Sequence, residues 1–308
     1  MRFDITAIGE PMVEFNQTRP GESTFLQGFG GDTSNAIIAA ARTGARTAYV
    51  TQLGDDEFGR MFSDLWQTEG VDCSAVDIDP SAHTAVYFVT HGSRGHGFSY
   101  LRAGSAASRM RPEQLPTELV QQSRILYASG ISLAISASAC DTVMTAFDLA
   151  RTSGNKTAFD SNLRLKLWPL ARARALTAAA AALSDYFLPS LEDAVMLSGI
   201  DDETGIIEWS HRLGARNVLL KLGERGVLAS DGHRIEYLGG HRVHAVDATG
   251  AGDCFCGSFL ARISAGDSIW EAARYANAAA ALSTTGFGAV APLPRRAEVL
   301  AMFQNVPG

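Results

Sequence analysis

The residues best suited to chemistry lie in the stretch Val246-Asp247-Ala248-Thr249-Gly250-Ala251-Gly252-Asp253-Cys254-Phe255-Cys256-Gly257-Ser258-Phe259-Leu260. Small residues at Gly250, Ala251 and Gly252 open a helical pattern, so free backbone amides there converge on an anion with the helix dipole behind them. Asp253 falls in the first turn beside that hole. A carboxylate so placed can take the proton of an alcohol while the amides stabilise charge on a transferred phosphoryl group. The same residues also suit a plain helix start whose acid favours the dipole.

Three further stretches combine glycines or polar groups with a position beside a strand or helix. Gly30-Gly31-Asp32-Thr33-Ser34-Asn35 precedes an amphipathic helix; its glycines allow close backbone approach and its polar side chains suit hydroxyls, while the alternative is only a capped helix start with Asp32, Thr33 or Ser34 as the cap. Phe159-Asp160-Ser161-Asn162-Leu163-Arg164-Leu165-Lys166-Leu167-Trp168 ends a strand with an acid, an amide and a guanidinium close together, more than a core strand needs. Gly223-Glu224-Arg225-Gly226 follows a strand ending at Lys221 and reads either as a ligand-facing turn or as a simple one. None of the three lysines, Lys156, Lys166 and Lys221, sits in a G-x-x-x-x-G-K-[ST] loop, which excludes a P-loop enzyme. No G-x-G-x-x-G turn leads from a strand into a helix, which disfavours an NAD-linked oxidoreductase.

The elements that must hold these residues alternate. Short apolar runs at 5–8, 48–50, 125–128, 157–159, 186–188 and 217–221 are followed by helical patterns over 34–43, 58–69, 137–152, 171–183, 192–197, 203–213, 252–265 and 269–284. Such alternation predicts a doubly wound, mainly parallel α/β sheet flanked by helices, with ligands at the carboxyl ends of its strands. Residues 84–89 and 98–102 break the rhythm as a hairpin joined through 92–97. With 12–15 and 24–27 they are expected to form a small sheet that covers the site as a lid.

Of the 308 residues, 33 are acidic and 26 basic, a formal charge of -7 that argues against nucleic-acid binding. No apolar run is long enough for a membrane helix, since even 171–183 carries Arg172 and Arg174. The start of the chain lacks the layout of a signal peptide, so the expected location is cytoplasmic. Cys73 and Cys140 lack nearby partners in sequence, and Cys254 and Cys256 fit simple packing in a small-residue helix. His91, His96, His241 and His244 lack metal-like partners and are expected in turns or on the surface.

Together these stretches resemble the ribokinase-like (PfkB) family of carbohydrate kinases over essentially the whole chain. Gly30-Gly31 with Asn35 is similar to the family's first signature, and Asp247 to Asp253 to its D-T-x-G-A-G-D anion-hole motif, with Ala248 in place of the usual Thr or Pro. Tyr100-Leu101-Arg102-Ala103-Gly104-Ser105-Ala106-Ala107 resembles the Y-x-R-x-x-S-A segment of 2-keto-3-deoxygluconate kinases. Asp160-Ser161-Asn162-Leu163-Arg164 with Leu167-Trp168 resembles a segment those kinases share with fructokinases.

The resemblance implies a single ribokinase-like domain over 1–308, with a β-sheet lid from segments near 10–30 and 84–105. It implies transfer of the ATP γ-phosphoryl group to a primary hydroxyl of 2-keto-3-deoxygluconate, with fructose or another neutral sugar as the alternative; a non-catalytic sugar or nucleotide sensor is a third reading. Asp253 would be the base and Gly250, Ala251 and Gly252 the anion hole. Gly31, Asn35, Tyr87, Tyr100, Arg102 and Arg164 would bind the sugar acid, because a carboxylate calls for planar guanidinium partners. In the other reading, one arginine serves the nucleotide phosphates and the other a surface ion pair. By similarity, Ser190, Lys221, Gly223, Gly226 and Asn277 would line the nucleotide side, with 286–290 closing over the adenine. Magnesium would fall to Asp193, where Ser190-Leu191-Glu192-Asp193 alters the family's N-x-x-E motif, and a potassium ion to Asp247 and Thr249. A homodimer through the lid is expected from its exposed edges.

Overall fold

The computed structural model describes residues 2–92 and 95–304. Its first half runs β1 (Phe3–Ile8), β2 (Met12–Gln17), β3 (Phe25–Gly30), α1 (Asp32–Thr43), β4 (Thr47–Gly54), α2 (Glu57–Glu69), β5 (Val71–Asp72), β6 (Val76–Asp79), β7 (Ala85–Gly92), β8 (Gly95–Leu101), α3 (Thr117–Gln121), β9 (Ser123–Ser129), α4 (Gly130–Ala134) and α5 (Ala137–Thr152). The second half runs β10 (Lys156–Asp160), α6 (Leu170–Ala182), β11 (Tyr186–Phe187), α7 (Leu191–Ser198), α8 (Glu203–Leu213), β12 (Asn217–Lys221), β13 (Gly226–Ser230), β14 (Ile235–Gly239), α9 (Ala251–Ser264), α10 (Ile269–Ser283) and α11 (Arg296–Gln304). Each of the eight helical patterns read from the sequence coincides with a helix whose ends lie within two residues of the expected ones.

The main sheet has the order β14-β13-β12-β11-β10-β9-β1-β4-β5, with β6 also on β4. From β12 to β5 all neighbours are parallel, in registers such as Ile5↔Thr47 and Ile5↔Ile125. The sequence reading missed the antiparallel hairpin β13–β14 that closes one edge. β13 is wholly buried but follows directly on the glycine turn after β12, β14 is largely exposed, and Asp231, Gly232 and His233 between them read as loop. Chain order leaves β1 in one direction toward β4 and continues from β9 in the other, so the switch lies between β1 and β9. Their carboxyl ends open the crevice where such sheets bind ligands.

A second sheet, β3-β2-β7-β8, stands apart from the first. It holds the expected hairpin, with Val86 opposite Leu101 and Tyr87 opposite Tyr100. Of the connection expected at 92–97, Ser93 and Arg94 lie outside the described residues.

Period-two alternation on the buried strands feeds two cores. Ile5, Tyr127 and Leu219 face the layer of α1, α2, α9 and α10, whereas Leu126, Phe159, Val218 and Leu220 face that of α5, α6 and α8. In the first layer α1 and α9 cross closely. A Cβ on Gly257 would sit 1.9 Å from the Ala36 carbonyl oxygen, so only glycine admits this crossing. Gly257→Ala is therefore expected to cost about 1–3 kcal/mol of stability through overpacking. Thermal unfolding checks this, and an unchanged midpoint would contradict the crossing.

Candidate active site

The crossing of α1 and α9 sets the site. Gly31 turns the chain from β3 into α1 at φ 99°, where a side chain would collide with the Glu10 carbonyl oxygen, 2.6 Å away. Gly31 is the N-cap and no side chain caps the helix. This corrects the expected capping role of Asp32, Thr33 or Ser34, because tertiary partners claim all three. Asp32 Oδ2 accepts from Asn162 Nδ2 at 2.9 Å, Thr33 Oγ1 lies 2.8 Å from the Tyr49 hydroxyl, and Ser34 Oγ accepts from Trp66 Nε1 at 3.0 Å.

One turn into α1, Asn35 Nδ2 donates to Asp253 Oδ2 at 2.8 Å. Asp253 occupies the first turn of α9, whose N-cap is Gly250 in the left-handed region at φ 76°. Burial, the charges of Asp32 and Asp160, and the opposing effects of the Asn35 bond and Lys221 together leave the Asp253 carboxyl at about 8. A base poised there changes charge near neutral pH, which suits proton transfer from an alcohol. Burial also raises Asp32. Asp32 Oδ1 and Asn35 Oδ1 are buried without a protein partner, so both keep acceptor capacity beside Asp253.

On the other side of Asp253, Lys221 Nζ at the end of β12 donates to Asp160 Oδ2 at the end of β10, 2.7 Å away. Burial pulls the Lys221 ammonium down, but the charges of Asp160, Cys256 and Asp253 outweigh it and the group is raised. Cys256 does more than pack, contrary to expectation: its Sγ lies 3.4 Å from Asp160 Oδ2 and 3.5 Å from Lys221 Nζ. Cys254 is a packed thiol held up at about 12, chiefly by burial. Asn162, at φ 27°, is the described non-glycine residue with positive φ, a conformation asparagine tolerates.

The remaining expected residues divide into groups. Tyr87 stacks on Tyr100 at 5.9 Å in the second sheet, and its hydroxyl donates to the buried Glu14. Arg102, at the end of β8, is paired with Glu10, which also accepts from Ser105; the pair is 11% and 0% exposed. Arg164 is exposed, its Nη1 bonded to the Leu163 carbonyl, and among the described residues it forms no ion pair within 4.0 Å.

Asp193 Oδ2 accepts from Ser161 Oγ and the Leu163 amide, each at 2.9 Å, while Ser190 caps α7 by accepting from the Asp193 amide. Gly223 and Gly226 bound the turn from β12 to β13. Asn277 is not shown in contact with these groups; its amide bonds the Leu238 and Gly239 carbonyls and holds β14. Asp247 accepts from Thr249 and from the Gly288 amide, tying the loop before α9 to 286–290. His91 and His241 are half-buried, His91 bonded to Asn16 and His241 edge-on to Phe303; the His96 side chain lies outside the described residues.

Sequence reasoning missed Glu10 and Glu14, and of its two readings for Asp32 the cap is the one the structure excludes. The available signal was position: Glu10 follows the wholly buried end of β1, and an acid there needs a partner.

A doubly wound sheet whose crevice holds a glycine-opened helix start and a buried carboxylate, with a separate small sheet, suits a phosphotransfer enzyme. The chain belongs to the pfkB family of carbohydrate kinases, whose model matches residues 2–296, and it is an ATP-dependent sugar kinase. It is 33% identical to Fructokinase-2 of Solanum habrochaites, covering 98% of this chain and 96% of that one. It is likewise 33% identical to a 2-dehydro-3-deoxygluconokinase of Thermoproteus tenax, over 96% of this chain and 93% of that one. The crystal structure of Fructokinase from Vibrio cholerae O395, in fructose, ADP and calcium ion bound form, superposes with a TM-score of 0.88 at 27% identity. It covers 98% of this chain and 99% of that one.

Asp253→Asn is expected to lower turnover in a coupled ADP-release assay by at least 10²-fold with the fold intact. In the wild type, kcat/KM is expected to rise with pH through about 8 as Asp253 loses its proton. Near-wild-type turnover of the variant would remove Asp253 from the base role.

Proposed function

We propose that this kinase phosphorylates a 2-keto-3-deoxy sugar acid, 2-keto-3-deoxygluconate in the first instance, at its primary hydroxyl to give the 6-phosphate. The observation that carries this reading is Arg164, an exposed guanidinium at the carboxyl end of β10 without an ion-pair partner among the described residues. Its field reaches Asp32 and Asp193, so it lies beside the polar groups of the crevice. A planar fork in that state suits a substrate carboxylate. A neutral ketose such as fructose is the second reading. Glu10 favours it, because it already neutralises Arg102.

In the mechanism, Asp253 takes the proton of the attacking hydroxyl while the backbone amides of Gly250, Ala251 and Gly252 hold the transferring group. Asn35 fixes the carboxylate, and Asp32 and Asn35 offer their unpartnered oxygens to sugar hydroxyls. Gly31, Tyr87, Tyr100 and Arg102 complete the acceptor side; Ser190, Lys221, Gly223, Gly226 and Asn277 belong to the nucleotide side. Magnesium, when bound with ATP, neutralises phosphate charge. Asp193 would be its carboxylate on the protein side; no cluster of three or more His, Cys, Asp or Glu side chains fit for a metal occurs among the described residues.

The second sheet acts as the lid that excludes water from this transfer. Its edge strands β3 and β8 expose Leu26 and Leu101, at 64% and 61%, and a second copy of the chain covers them in a homodimer. Light scattering after size exclusion is expected to give twice the chain mass, and Leu101→Asp to give the monomer; a monomeric wild type rejects the dimer.

The substrate assignment is tested by ADP release with Mg-ATP and 2-keto-3-deoxygluconate, 2-keto-3-deoxygalactonate, fructose or ribose at matched concentrations. A strong preference for a sugar acid is expected, and Arg164→Ala should raise its KM at least tenfold while changing that of fructose little. Activity confined to fructose would overturn the assignment and leave the base and anion hole in place.

A further inference from the structure

Lys221 has a place in the crevice that a general role on the nucleotide side does not explain. Its backbone amide bonds the Pro189 carbonyl at 2.8 Å, and Lys221 pairs with Ser190 in an isolated parallel bridge, so the root of the side chain is fixed. The ammonium ends 3.6 Å from the point where a Cβ on Gly252 would sit. It therefore lies against the first turn of α9, beside Gly252. Two of its donors meet Asp160 Oδ2 and Cys256 Sγ. Cys256 is one turn on from Gly252, on the same face of α9. The side chains of Lys221 and Asp160 are 13% and 3% exposed.

A buried ion pair is a poor source of stability compared with apolar packing, so its presence calls for another explanation. Neither of the other two lysines is held in the same way: Lys156 pairs with Asp185 at the start of β10, and Lys166 is exposed after it.

We propose that Lys221 is a catalytic residue that binds the transferring γ-phosphoryl group, and that Asp160 and Cys256 are positioning residues that aim its remaining N–H at the anion hole. The proposal rests on the phosphotransfer reading above and deepens it. During transfer the bond from phosphorus to the bridging oxygen breaks and its electron pair leaves with ADP. The sugar hydroxyl oxygen forms the new bond to phosphorus, and its proton passes to Asp253. Lys221 keeps its proton throughout and supplies a full positive charge where the loose transition state spreads negative charge over the phosphoryl oxygens. The backbone amides alone supply only partial charges.

Lys221 and Asp160 also act on the base in opposite senses. Around Asp253 stand Asp32 and Asn35 from α1, Asp160 from β10, Lys221 from β12, Tyr87 from β7, Tyr127 from β9, and Cys254 and Cys256 on its own helix. Lys221 lowers the Asp253 carboxyl and Asp160 raises it.

The experiment compares full-length wild type, Lys221→Met, Lys221→Arg and Asp160→Asn. It measures kcat and KM, the pH profile of kcat/KM, and calorimetric affinities for ADP and a non-hydrolysable ATP analogue. Lys221→Met is expected to lower kcat by about 10²- to 10³-fold, with the sugar KM changed less than threefold. It should also bind ADP like the wild type but lose at least tenfold in affinity for the analogue. Lys221→Arg should recover part of kcat. The acid limb should move to higher pH in Lys221→Met and to lower pH in Asp160→Asn.

A kcat for Lys221→Met within fivefold of wild type, or an unchanged preference for the analogue over ADP, overturns the proposal while the kinase reading stands. If Lys221→Met does not fold, Lys221→Arg and Asp160→Asn decide: wild-type kcat and an unmoved acid limb in both overturn it. A wild type that binds neither nucleotide overturns the phosphotransfer reading and this proposal with it.

Discussion

Asp253 is placed where its ionised form is disfavoured, among buried groups and within the fields of Asp32 and Asp160. Much of the surrounding structure follows from that constraint. A carboxylate in this setting needs a fixed donor and a nearby cation, and these come from opposite sides: Asn35 from α1 and Lys221 from β12. Both approaches require backbones to come unusually near one another. Gly257 lets α9 lie against α1, and Gly31 lets α1 begin directly against the chain leaving β1. Packing and chemistry are thus one problem here, because a small separation of the two helices would loosen the Asn35 bond and change the proton affinity of Asp253 together.

The fold was legible because its signals are local and periodic. Buried strands such as β1, β9 and β12 show alternating apolar faces that fill two cores, and each helix after them repeats apolar residues at its own period. The hairpin β13–β14 escaped because β13 follows the glycine turn after β12 without an α-helix between, and β14 is largely exposed and mixes polar with apolar residues. In the site, the helix opening at Gly250 to Asp253 could be read directly, since amides, dipole and acid all belong to one turn of chain. Partners brought together by folding could not. Glu10 and Arg102 are 92 residues apart, Asp160 and Lys221 61, and Asp32 and Asn162 130. Local rules therefore made Asp32 a cap and Cys256 a packing residue, although each has a distant polar partner.

The two arginines of the acceptor side illustrate the same limit. Their types and spacing suggest equal readers of a carboxylate, yet folding gives them unequal states. Arg102 enters the crevice already joined to Glu10, whereas Arg164 projects from the end of β10 with only a main-chain acceptor. A fructokinase and a 2-dehydro-3-deoxygluconokinase at equal identity to this chain are understandable on that basis. In the proposed mechanism Asp253, the start of α9 and the helix crossing would serve any primary hydroxyl, and the choice of sugar would fall to a few side chains at the rim.

Arg102 has a second consequence for that choice. It stands at the end of β8 in the small sheet, while Glu10 follows β1 of the large one, so their buried pair joins the two sheets beside the crevice. Ser105, bonded to the same carboxylate, extends the junction beyond β8. Removing either partner would leave a charge buried and uncompensated, which costs more than the pair contributes. Arg102 therefore couples the seating of the small sheet to whatever its guanidinium contacts in the crevice. Arg164 forms no such junction among the described residues, so replacing it would test the proposed contact with the substrate while leaving the seating of the small sheet unchanged.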